Sequence, residues 1–71
     1  KTMEKFEAIN STGERINLLI NLNKSITLNP GERKKLNEKS GSTVHACRPN
    51  ENAKKISLGV VDGSTKTVVG L

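Results

Sequence analysis

The stretch "TVHAC" holds the only residues in this chain whose types and spacing suggest reaction chemistry. His45 and Cys47 stand two apart. On an extended strand they would share a face, where an imidazole can draw the proton from a thiol and leave a nucleophilic thiolate. Such a pair needs a third group to orient the base and a donor set for the developing oxyanion. The single aspartate, Asp62, falls in a turn-like Asp-Gly step, and no segment offers an oxyanion hole. A structural metal needs four ligands and a catalytic one at least three, whereas His45 and Cys47 supply two. The six glycines are dispersed, so no phosphate-cradling loop is present. Glu4, Glu7 and Glu14 gather near one end, where solubility is the simpler role. Two ordinary strand side chains are the better reading of His45 and Cys47. The sequence thus predicts no enzyme, no catalytic residue, no metal site and no cofactor.

Charge is the second chemical feature. Residues 24–55 carry eight cations against three carboxylates, which places the whole net charge of +5 in the middle of the chain. Arg33, Lys34, Lys35, Arg48, Lys54 and Lys55 form a candidate basic patch, attractive to nucleic-acid phosphates or to an acidic protein surface. The plainer alternative is that lysines on exposed strands block edge-to-edge aggregation. Phe6 is the only aromatic residue, so stacking platforms for single-stranded bases are missing.

These residues must be positioned by strands. In "INLLINLN", residues 16 to 23, Ile16, Leu18, Ile20 and Leu22 recur on every second residue and would line one face, with Asn17, Leu19, Asn21 and Asn23 on the other. Asparagine has poor strand propensity, so burial of the aliphatic face must hold this strand. Leu19 interrupts the polar face and marks a second contact surface. Residues 4–9 read as a first strand, with helix as the alternative because Met3, Phe6 and Ile9 recur every third residue. Ile26 and Leu28 form a third strand, ended by "NPGE". A helix over 30–39 would have one apolar residue, Leu36, and no buried stripe, so an exposed hairpin arm is favoured there. Residues 43–47 and 56–60 alternate again. Asp62-Gly63 is the strongest hairpin signal in the chain, because both residues tolerate positive φ. The closing "TVVGL" reads as a last strand paired in its own sheet, with completion of a neighbouring subunit's sheet as the sharper alternative. The sum is one all-β domain over residues 1–71, a small antiparallel β-sandwich or barrel of six to seven short strands.

At 71 residues the buried fraction on folding is about 60% and the core is thin. A partner subunit could supply further burial. No apolar run of about 20 residues predicts a membrane span. Cys47 is alone, which excludes an internal disulfide. Asn10-Ser11-Thr12 and Asn23-Lys24-Ser25 match the N-glycosylation pattern, relevant only in a eukaryotic secretory setting.

The segment "SITLNPGERKKL", residues 25 to 36, resembles the hairpin of immunoglobulin-like accessory domains, in which an alternating strand ends in Pro-Gly-Glu and an exposed strand follows. That resemblance implies a decoration or adhesion role on virus particles or cell surfaces. The cysteine pair and the Trp of antibody-type domains are absent. The expected function is accordingly a non-enzymatic structural or binding module, a decoration or accessory subunit of a larger assembly such as a virus particle. Its expected partner is a protein or further copies of itself, at a virion or extracellular surface. The alternative is a basic nucleic-acid-binding barrel using Lys34, Lys35, Lys54 and Lys55. A secreted inhibitor or toxin presenting "RPNEN" ranks last.

Overall fold

The structure, a computed structural model, describes residues 2–71. Among these residues seven strands follow one another without a helix: β1 (Met3–Asn10), β2 (Ile16–Ile20), β3 (Lys24–Leu28), β4 (Arg33–Lys39), β5 (Thr43–Cys47), β6 (Ile56–Val60) and β7 (Lys66–Val68). They form a three-stranded sheet in the order β4-β1-β7 and a four-stranded sheet in the order β3-β2-β5-β6. The molecule is only 15 Å thick along its shortest axis, as two facing sheets about 10 Å apart require. This is a β-sandwich, as the alternation of aliphatic residues predicts.

Alternation decides what lies between the sheets. Phe6 and Ala8 of β1, Ile16, Leu18 and Ile20 of β2, Leu28 of β3, Val44 and Ala46 of β5 and Val68 of β7 form one buried cluster. Ile26, Leu36, Ile56, Leu58 and Leu71 close its margins. The exposed β4 segment is a strand because Leu36 pairs with Phe6 across the ladder, which gives its single apolar residue a place in the core.

Only β2–β3 and β5–β6 are hairpins, and every other connection passes from one sheet to the other. That corrects two readings of the sequence. Asn-Pro-Gly-Glu at 29–32 does not fold a hairpin between β3 and β4, which lie in different sheets. Asp62-Gly63 likewise carries the chain from β6 to β7 in the opposite sheet. Positive φ, 76° at Gly31 and 86° at Gly63, serves a change of sheet as well as a hairpin. The pairing is antiparallel throughout except for β1 with β7, which is parallel over Ala8 to Asn10 and Lys66 to Val68. "TVVGL" therefore begins as a strand of its own sheet, and Val69 beyond it is 75% exposed.

The second strand ends earlier than its alternation suggests. Asn21 and Leu22 take φ of 55° and 61°, and the Asn23 amide donates to the Ile20 carbonyl at 3.2 Å, closing a tight turn. The Asn21 carboxamide secures this turn by donating to Ser42 Oγ and accepting from the Thr43 amide, both at 3.2 Å. Leu22 is consequently turned into solvent, 54% exposed, rather than lining the core. A second departure occurs in β6, where one extra residue between the Thr43 and His45 partners makes a bulge with Gly59 at φ 95°. The bulge shifts the alternation by one, so Val60 faces outward at 41% exposure and Val61 enters the core.

Asn10 pins one end of the sandwich. It is fully buried, and its side-chain amide reaches the carbonyls of Glu14, Leu28 and Asn29 at 2.7, 3.1 and 3.0 Å. Its Oδ1 accepts from the Thr12 amide and hydroxyl. The nitrogen that a glycan would occupy is thereby engaged and enclosed, whereas Asn23 is exposed.

Candidate functional site

The two outer faces of the sandwich differ in chemistry, and strand parity builds each. With Ile16, Leu18 and Ile20 turned inward, β2 presents Asn17 and Leu19 outward. Their cross-strand partners are Thr27 and Ser25 of β3 and Cys47 and His45 of β5. Thr43 and Ser57 continue the same face through the β5–β6 ladder. Not one of these positions carries a formal charge at neutral pH, in a chain that is 27% charged. Thr27 donates to Asn17 Oδ1 at 3.2 Å across the strands. Leu19, flanked by Ser25 and His45, is only 8% exposed although it points away from the core.

His45 and Cys47 do share this face, as their spacing predicts. The thiol is fully buried and donates to Asn52 Oδ1 at 3.3 Å, so the loop after β5 covers it. The imidazole Nδ1 is enclosed without a hydrogen-bond partner. A reactive thiolate requires access and a base, and this thiol has a carboxamide cover. Among the described residues no group of three or more His, Cys, Asp and Glu is placed to hold a metal ion.

The outer face of the three-stranded sheet is basic. With Glu4, Phe6, Ala8 and Asn10 turned inward, β1 presents Met3, Lys5, Glu7 and Ile9. Opposite them stand Lys39, Asn37, Lys35 and Arg33 of β4 in register. Among the described residues four cations thus share a face with one carboxylate, Glu7, which lies 3.7 Å from Arg33. Shallow depressions of about 550, 310 and 160 Å³ indent it, with Arg33 in the wall of the first and Lys5 and Lys35 in the walls of the other two.

The six cations of the predicted patch do not form one surface. Arg33 and Lys35 are on this basic face. Lys34, between them in sequence, points to the other side of β4 and lies 3.8 Å from Glu32. Arg48, Lys54 and Lys55 belong to the loop between β5 and β6, in the other sheet. Arg48 is held by Glu14, with Nε to Oε1 at 3.0 Å, and a hydrogen bond together with the adjacent charge raises its pKa further. Lys55 donates to the Asn52 carbonyl at 2.7 Å. Lys5 and Lys39 complete the basic face and were missed in sequence because neither belongs to a run of basic residues. Period-two parity applied to 3–10 and 33–39 was the signal that could have found them.

Each open side of the sandwich is bridged by a lysine and a carboxylate. Lys24 of β3 meets Glu38 of β4 at 2.6 Å. Lys66, only 8% exposed, donates to Ser64 Oγ at 3.0 Å and to Asp62 Oδ1 at 3.3 Å. The Ser64 hydroxyl and amide, and then Lys66, hold the Asp62 carboxyl below its ordinary range, at about 2. No helix among the described residues is long and apolar enough to cross a membrane. Compared with known proteins, the chain matches no family model, no curated protein and no solved structure.

Proposed function

We propose that this domain is a non-enzymatic binding module, an accessory or decoration subunit of a larger assembly such as a virus particle, docked through the outer face of its four-stranded sheet. The observation that carries the reading is the absence of charge from that face. Centres of protein–protein interfaces are depleted in charged residues, because each buried charge must be desolvated. A face of Asn, Ser and Thr around Leu19 loses little on burial and can exchange hydrogen bonds with water for hydrogen bonds with a partner. A second copy of the chain or a protein of the assembly would also cover part of what a thin core leaves open, including Val60 at 41% exposure. The virion or extracellular setting rests on the sequence resemblance of residues 25 to 36 alone, because these residues join two sheets instead of forming the hairpin that the resemblance implies.

The test is association. Ser25→Glu with Ser57→Glu places two carboxylates on exposed positions of the face and leaves the core untouched. The wild-type chain is expected to self-associate or to co-sediment with its native assembly, and the double variant to lose this while keeping its circular dichroism spectrum. A wild-type chain that stays monomeric at high concentration and remains in the supernatant of its assembly removes the proposal.

A further inference from the structure

We propose that the opposite face, the outer surface of the three-stranded sheet, binds the sugar–phosphate backbone of double-stranded nucleic acid without reading its sequence. This inference uses other residues than the docking face and stands independently of it. Arg33, Lys35 and Lys39 project from one side of β4, with Lys5 beside them on β1. From Arg33 to Lys39 the row extends about 20 Å at strand rise, a length over which one strand of a duplex presents about six phosphates. Arg33 is 65% exposed, so its guanidinium can reach beyond the Glu7 contact. The depression lined by Lys5, Lys35, Leu36 and Asn37 has no carboxylate in its wall and gives an oxyanion a place to approach both lysines from above the sheet.

The kind of partner follows from what the face contains and what it lacks. Four cations against a single carboxylate are unsuited to the desolvated centre of a protein interface but suited to a polyanion that stays hydrated. Phe6, the only aromatic residue, points into the core at 4% exposure, so this face has no aromatic platform for bases and a single strand gains little preference. The charges lie on paired strands, a firm support for regularly spaced phosphates. Base edges are beyond reach of a flat sheet laid on the backbone, so contacts position without specifying.

The experiment is the salt dependence of binding by the full chain to a fluorescent duplex of random sequence, with polyglutamate and a sulfated polysaccharide as the other polyanions. Four phosphate contacts predict a log–log slope of about −3.6, or roughly a hundredfold loss of affinity between about 50 and 200 mM salt. Lys5→Gln, Lys35→Gln and Lys39→Gln should each reduce the slope by about 1. Glu7→Gln should tighten binding. Lys54→Gln with Lys55→Gln, in the loop of the other sheet, should leave the slope unchanged, as should Ser25→Glu with Ser57→Glu. Circular dichroism establishes that each variant is folded. No binding at low salt, a slope lowered by the loop variant instead of the face variants, or equal or tighter binding to polyglutamate or the sulfated polysaccharide would each overturn the proposal.

Discussion

Asp62 shows how much a single side chain can do at the edge of so small a sandwich. It accepts from the Ser64 hydroxyl at 2.6 Å and amide at 3.1 Å, and it lies against the enclosed Lys66. Its carboxyl is lowered from the ordinary 3.8 to about 2 in the folded chain. A lowered folded pKa contributes stability that is fully present above the unfolded value and is lost as pH falls through the folded one. Between 3.8 and about 2, therefore, Asp62 makes the fold increasingly acid-sensitive. Replacing it by Asn should flatten the fall of the thermal midpoint over that interval, and an unchanged slope would show that other carboxylates govern it. At this scale the sequence was legible in part. The shared face of His45 and Cys47 followed from their spacing, but the Asn52 cover of the thiol did not, because it depends on how the 48–55 loop folds back. In sequence Asn10 stood out as the first residue of a glycosylation pattern, and nothing in its neighbourhood announced the Leu28 and Asn29 carbonyls that it meets from across the sandwich.

Among the elements, the bulge in β6 has the clearest energetic consequence. Gly59 sits at φ 95°, where a side chain is disfavoured, while an added Cβ would meet only Lys66 Nζ at an ordinary 3.5 Å. The cost of Gly59→Ala is thus conformational, about 1–2 kcal/mol. A lowered urea midpoint with unchanged m-value should record it, and a wild-type midpoint would mean that the bulge relaxes freely. The strands themselves were legible, because period-two alternation reports burial of one face directly. Their partners were not. Alternation says which way a side chain points and nothing about which strand lies alongside. Pro30-Gly31 and Asp62-Gly63 supplied the dihedral angles of a turn, but these angles are shared by hairpins and by crossings between sheets. The basic patch suffered from the same gap. Adjacent Lys34 and Lys35 look like one feature in sequence, yet a pleated strand sends them to opposite sides.

The whole molecule has little stability to spare. A domain of this length is held by about 4–11 kcal/mol at the usual value per residue. β7 is only three residues long, yet Val68 is fully buried in the shared core and Lys66 closes the edge beside β6. Removal of residues 66–71 should leave the chain unfolded by circular dichroism. A truncated chain with a cooperative melt would mean that β1 and β4 hold the sheet unaided. One further property comes from the direction of β7. Because it runs parallel to β1, the chain enters the sheet at one end of the sandwich and leaves it at the other. Tension applied to the two ends would slide these strands along each other, loading their hydrogen bonds together instead of peeling them one by one. Resistance to extension would then rest on a short clasp between the first strand and the last, and the unfolding rate under force would report directly on it.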